Sequence, residues 1–266
     1  MKTGRNIKVV ILCGGRGSRL REETEVLPKP LVQVGQRPIL WHIMKLYAYY
    51  GFKDFILCLG YKGEMIKEYF LNYEAMNNDF TIELGSRDTI QFHSDHLENG
   101  WRVTLVNTGL EAQTGTRIKR IEKYVDGDIF MATYGDGVGN INIKKLLEFH
   151  KASRKIGTLT GVHPPSRFGE LFIRNKKIAQ FNEKPQVKEG FINGGFFVFD
   201  RKFFKYLSGD DNCCLERQPL EMLAKHSQLG VNLHDGFWQC MDTQRELDIL
   251  NDLWKRHQAP WKVWND

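Results

Sequence analysis

Two cations and two carboxylates are the residues of this chain best suited to phosphate chemistry. Arg19 closes a glycine-rich stretch, Cys13-Gly14-Gly15-Arg16-Gly17-Ser18-Arg19-Leu20, and Lys29 follows in Pro28-Lys29-Pro30. The stretch begins where the apolar run Val9-Val10-Ile11-Leu12 stops. Glycines at a strand end let backbone N–H groups approach a ligand without Cβ obstruction. Successive N–H groups in such a turn form an anion-binding concavity. Leu12 through Arg19, with Lys29, read as a triphosphate cradle; the alternative is a glycine-rich surface turn.

The carboxylates come later. Asp136 stands between Gly135 and Gly137, after the apolar run Ile129–Thr133. It reads as a metal ligand held close by its small neighbours, or as an ordinary Asp-Gly turn. Asp242 precedes the helical segment Gln244–Lys255, so it reads as a second metal ligand, a helix N-cap, or both. Mg²⁺ takes one or two carboxylates and keeps waters and substrate phosphates, so the two would suffice. Glu183-Lys184-Pro185 offers a compact positive charge suited to a phosphate monoester, and Asn193-Gly194 offers polar groups with close backbone approach; the alternative is a charged turn before a strand. His93 and His96 fit a solvated strand end better than a metal pair.

The two commoner phosphate motifs fit less well. A dinucleotide fingerprint needs a third glycine where Leu20 stands, and no Gly-Lys-Ser/Thr ending of a P-loop follows the first strand.

These residues need a scaffold, and the pattern is one of α/β alternation. Strands are expected at Val9–Leu12, Phe55–Leu59, Phe80–Leu84, Ile90–His93, Val103–Val106, Ile129–Thr133 and Gly157–Val162. Helices are expected at Ile39–Tyr50, Lys62–Tyr73, Arg117–Tyr124, Ile143–Arg154 and Gln244–Lys255. Strands alternating with helices predict a mostly parallel sheet with ligands beyond its carboxyl ends. One catalytic domain over residues 1–266, with a smaller C-terminal subregion, accounts for the whole.

Composition agrees. The chain has 266 residues, 41% of them hydrophobic, and a net charge of +6 that is spread rather than blocked, which does not call for nucleic acid but suits phosphorylated substrates. Five cysteines without a CxxC pair argue against a disulfide framework or a zinc site and for a reducing cytoplasm, with Cys13 and Cys58 as small buried hydrophobes. No apolar run approaches membrane-spanning length, so no membrane contact is expected. Trp254, Trp261 and Trp264 serve either a subunit contact or the closing of the core.

GGRGSRL, the later PKP and the EKP motif together resemble the sugar-nucleotide pyrophosphorylase family. ILWHIMKLYAYYG, GYKGEMIKEYF, VTLVNTG, TYGDGV, PPSRFG, INGGFF, GFWQCMDT and APWKVW, in this order over nearly the whole chain, are similar to its glucose-1-phosphate cytidylyltransferase branch. The chain departs from that branch at Ala112, Thr116 and Gln218.

The resemblance implies an α/β, Rossmann-like nucleotidyltransferase fold of the GT-A-like type. It implies the substrates CTP and glucose 1-phosphate, with CDP-glucose and pyrophosphate as products, a Mg²⁺ cofactor, a homo-oligomer and a place in surface-polysaccharide synthesis. It assigns Asp136 and Asp242 to the metal, and Glu183, Lys184, Asn193 and Gly194 to the sugar phosphate. Arg117 and Gly135 join Leu12–Arg19 and Lys29 at the nucleotide. Arg19, Lys29 and Lys184 are the expected catalytic cations.

Overall fold

Seven strands form the central sheet of the computed structural model, which describes residues 7–85, 89–94, 96–164, 170–174, 177–182 and 190–265. They are β1 (Val9–Cys13), β2 (Asp54–Leu59), β3 (Arg102–Asn107), β4 (Ile129–Tyr134), β5 (Gly157–Val162), β6 (Ile192–Asp200) and β7 (Leu229–His234). Their order is β7-β5-β6-β4-β1-β2-β3. β1 pairs parallel with β2 and β4, β2 with β3, and β5 with β7. Only β6 runs antiparallel, against β4 and β5. The sheet is mostly parallel, as expected.

Both faces of the sheet are covered, which is why the central strands are apolar without alternation. On one face Val9, Ile11, Phe55, Leu57 and Met131 pack against Ile39, Leu40, Ile43, Met44 and Tyr47 of helix α1 (Ile39–Tyr49). On the other, Val10, Leu12, Ile56 and Phe130 pack with Phe197, Phe199, Phe203 and Phe204.

Two helices differ from the sequence expectation. Lys62–Tyr73 becomes α2 (Gly63–Leu71), a break at Asn72, and a short turn Tyr73–Asn77. Arg117–Tyr124 becomes α3 (Thr114–Arg120), which starts three residues earlier, and a separate 3₁₀ turn, Glu122–Tyr124. Helix α4 (Ile143–Ser153) starts at a cap in which Asn142 accepts from the Lys145 N–H at 3.0 Å. Helices α5 (Gln218–Lys225) and α6 (Gln244–Lys255) follow. Phe80–Ile82 and Ile90–Phe92 pair with each other in a hairpin outside the main sheet.

The C-terminal tryptophans close the core. Trp261 and Trp264 are buried, and both rings stand beside His42 of α1. His42 Nε2 donates to the Val34 carbonyl at 2.9 Å, and Trp261 Nε1 donates to His42 Nδ1 at 3.3 Å. Burial pushes the His42 pKa down to about 4. Cys13 and Cys58 are buried strand residues, and all five thiols are free. His93 bonds Thr81, and His96 bonds Glu74. Among the described residues no helix is long and apolar enough to cross a membrane.

Candidate active site

The chain leaves β1 for β2 on one side, while β4 lies against β1 on the other. A crevice opens at the carboxyl ends of strands where the order reverses in this way. A cavity of about 290 Å³ occupies that place. Its walls are Leu12–Gly15 and Gly17–Arg19 after β1, Lys29 and Pro30, Ala112–Thr114 and Arg117 at the start of α3, Tyr134–Asp136 at the end of β4, and Asp242.

The glycine loop is anchored from behind. The Gly14 carbonyl accepts from the Tyr61 N–H and from Arg117 Nη2, both at 3.1 Å. The same buried guanidinium also donates to Leu59 O, Thr108 Oγ1, Gly109 O and Leu110 O. Burial pulls the Arg117 pKa down, and the five oxygens that its guanidinium bonds are all neutral. A Cβ on Gly14 would lie 2.2 Å from Arg117 Nη1, so this position admits only glycine while Arg117 stays in place. Arg117 borders the cavity, as the nucleotide assignment requires, but its N–H groups serve as a brace joining β1, β2 and the loop after β3. Arg16 turns outward to Glu111 at 2.5 Å, and it is the one loop residue of Leu12–Arg19 that does not line the cavity.

Lys29 sits in a 3₁₀ turn, Lys29–Leu31, started by Pro28. Its side chain reaches back under the glycine loop, and its ammonium lies 2.6 Å from Asp136 and 2.5 Å from Asp242. Burial works against that charge, but the two carboxylates outweigh it and raise the Lys29 pKa. Arg19, largely exposed, reaches the other Asp242 oxygen at 2.8 Å.

A two-stranded ribbon brings the carboxylates together. Gly137–Gly139, just after Asp136, pairs antiparallel with Trp238–Cys240, just before Asp242. The Met241 N–H donates to the Asp136 carbonyl at 2.8 Å. Asp242 is not the helix cap that its position suggested. Thr243 caps α6 in a capping box with Glu246, whose carboxylate accepts from both the Asp242 and Thr243 N–H groups. The Asp242 side chain is thereby left for the cations.

The donor set fits a magnesium-type ion. Two carboxylates converge on a single cationic group, the Lys29 ammonium, within direct contact of both. Hard oxygen ligands in that number, with room for phosphate oxygens and water, are what Mg²⁺ accepts. No group of three or more metal-ligating side chains occurs among the described residues, so substrate and solvent would complete the shell.

Asn193 and Gly194 lie on β6 beside Tyr134, and neither is among the residues that line the cavity. Asn193 Nδ2 is 3.3 Å from the Tyr134 hydroxyl, and its Oδ1 accepts from the Gly195 N–H at 2.9 Å. The Gly194 carbonyl accepts from Trp238 Nε1 at 2.8 Å. Glu183 and Lys184 lie outside the described residues.

Tyr134 and Glu216 were not singled out by the sequence reading. The Tyr134 hydroxyl donates to Glu216 at 2.5 Å; burial, then Glu216, pushes its pKa up. Tyr134 could have been found from its place two residues before Asp136; Glu216 carries no local signal. Thr116, one of the departures, is buried and donates to the Asp210 carbonyl, while its N–H donates to Cys213 O. That residue ties α3 to the loop before α5.

Residues 8–232 match the nucleotidyl transferase family. A glucose-1-phosphate cytidylyltransferase of Salmonella typhimurium is 48% identical over 97% of this chain and 100% of its own length. Its counterpart in Salmonella typhi is 47% identical with the same coverage. Among solved structures, the inositol-1-phosphate CTP transferase of T. maritima superposes with a TM-score of 0.65 at 15% identity, covering 99% of each chain, a likeness of fold.

Proposed function

The chain belongs to the nucleotidyl transferase family, and from that premise we propose that it joins CTP to α-D-glucose 1-phosphate, forming CDP-glucose and releasing pyrophosphate. The observation that carries the reading is the end-to-end match to relatives of that activity, with no part of the active cavity left out of it.

A phosphate oxygen of the sugar attacks the α-phosphorus of CTP. The new P–O bond forms as the bond to the β-phosphate oxygen breaks, and pyrophosphate departs with that electron pair. The attacking phosphate is already anionic, so no general base is needed. Catalysis then rests on positioning and on charge placed where the phosphates meet.

Arg19, exposed at the mouth, takes the β- and γ-phosphates. Lys29, fixed beneath the glycine loop, faces the reacting centre. The backbone of Leu12–Ser18 and Gly135 lies along the nucleotide. Asn193 and Gly194 hold the sugar, and Glu183 and Lys184 belong to the same reading. Asp136 and Asp242 would hold Mg²⁺, which when bound supplies the charge that screens two anionic substrates from each other. The chain acts as a single domain, in the cytoplasm, as a homo-oligomer.

A panel of nucleoside triphosphates against several sugar 1-phosphates, read as pyrophosphate release, tests this. CTP with glucose 1-phosphate should give the highest kcat/KM. A higher value for dTTP or GTP would keep the fold and overturn the substrate assignment.

A further inference from the structure

A chain of hydrogen bonds runs from Thr114 of α3 and Tyr134, which both line the cavity, to Asn193 on β6, and the exposed Glu216 is its centre. One carboxylate oxygen, Oε1, accepts from the Tyr134 hydroxyl at 2.5 Å. The other, Oε2, accepts from Thr114 Oγ1 at 2.7 Å and from Cys214 Sγ at 3.1 Å. Thr114 in turn accepts from the Leu215 N–H at 2.9 Å, which closes a ring around the carboxylate.

We propose that Glu216 is a positioning residue for the sugar site, setting the direction of the chain Glu216–Tyr134–Asn193 so that Asn193 offers a donor to the sugar. Donor and acceptor counts fix that direction. An ionised carboxylate only accepts, and a phenol has a single proton. With that proton given to Glu216, the Tyr134 oxygen can only accept from Asn193. The Asn193 amide must therefore point its nitrogen at Tyr134, while its oxygen is held by the Gly195 N–H. Gly195 itself is fixed, since it has φ +78° and a Cβ there would meet the Tyr134 ring at 2.3 Å. Among the described residues the second Asn193 N–H has no partner. A sugar hydroxyl oxygen is the group that such a donor would take. The inference rests on the substrate reading above and adds to it the sense of one contact and the residue that imposes it.

Glu216→Gln keeps the shape and breaks the logic. Two donors, Thr114 and Cys214, claim the amide oxygen, so the amide nitrogen faces Tyr134. Tyr134 must then accept there and turn its proton toward Asn193. The amide of Asn193 flips to meet it, which leaves the Gly195 N–H facing a second donor and turns the oxygen away from its post.

Initial rates with CTP and glucose 1-phosphate in the parent, Glu216→Gln, Tyr134→Phe and the double variant test this. Each single variant should raise KM for glucose 1-phosphate about tenfold, the loss of about one hydrogen bond, with KM for CTP changed less than about twofold. The double variant should be no worse than the worse single one, because both cut one chain. An unchanged KM for glucose 1-phosphate, an equal rise in both KM values, or losses that add in the double variant would overturn the proposal. If Glu216→Gln fails to fold, Tyr134→Phe carries the same test alone. A parent that releases no pyrophosphate from this substrate pair overturns the substrate reading and this inference with it; an active parent with indifferent variants overturns only the inference.

Discussion

Lys29 and Asp242, 213 positions apart in the chain, are in contact at 2.5 Å, and the same ammonium touches Asp136. Three charges from three segments thus share one point below the glycine loop. The ammonium keeps two neighbouring carboxylates compatible, and it lies where phosphate charge must be met.

Removing the ammonium leaves the carboxylates facing each other. Lys29→Met should lower stability by about 1–3 kcal/mol, less than for a fully buried pair because Asp136 is partly exposed. Added Mg²⁺ without nucleotide should raise the melting temperature of this variant more than that of the parent, since a ligand that binds only the folded state stabilises it. Thermal unfolding with and without Mg²⁺ reads both effects. Equal shifts in the two proteins would mean that the pair does not take the ion.

His42 makes the core sensitive to acid. Its folded pKa is near 4, whereas the unfolded chain binds the proton near 6.5. Between those values the unfolded state holds more protons, so stability falls as pH falls from about 6.5 to about 4, by about 3 kcal/mol in all. Protonation at Nδ1 would set a proton against the Trp261 N–H. Glutamine can donate to Val34 and accept from Trp261 without titrating. Urea unfolding followed by tryptophan fluorescence should therefore show a flatter pH dependence over this window for His42→Gln than for the parent.

Adjacent glycines of the loop should respond differently. Gly14→Ala would drive a methyl into the Arg117 guanidinium, which five hydrogen-bond acceptors hold in place, and should cost about 1–3 kcal/mol. Gly15→Ala meets nothing within 4 Å and should change stability by less than about 0.5 kcal/mol, although its methyl borders the cavity. Melting temperatures of the two variants compare them. Equal losses would remove the Arg117 brace from the account.

The sheet and its phosphate end were legible because both are local. A β-branched run followed by glycines marks β1 and its loop, and Asp136 follows an apolar strand directly. Asp242 was read as ligand or cap because an Asp before a helix does cap; the Thr243-x-x-Glu246 spacing was the better cap signal and frees Asp242 for the cations. Arg117 is expected at the nucleotide, and nothing in its own segment shows that Leu59, Thr108 and Gly14 converge on it. Tyr134 and Glu216 are 82 positions apart, and only the fold joins them. The Lys62–Tyr73 helix breaks at Asn72, a residue whose side chain bonds the Glu68 carbonyl at 3.0 Å. Periodicity carries through such a break without marking it.

Asp242→Asn separates the metal role of this carboxylate from any part in capping α6. Because Thr243 holds the cap, the variant should fold as the parent does, with a melting temperature within a few degrees, which circular dichroism can check. At saturating Mg²⁺, CTP and glucose 1-phosphate, pyrophosphate release by the parent should be robust and that of the variant at least about a hundredfold slower, in line with the loss of a group that stabilises transition-state charge. Turnover within about threefold of the parent by a folded Asp242→Asn would contradict the assignment of this site.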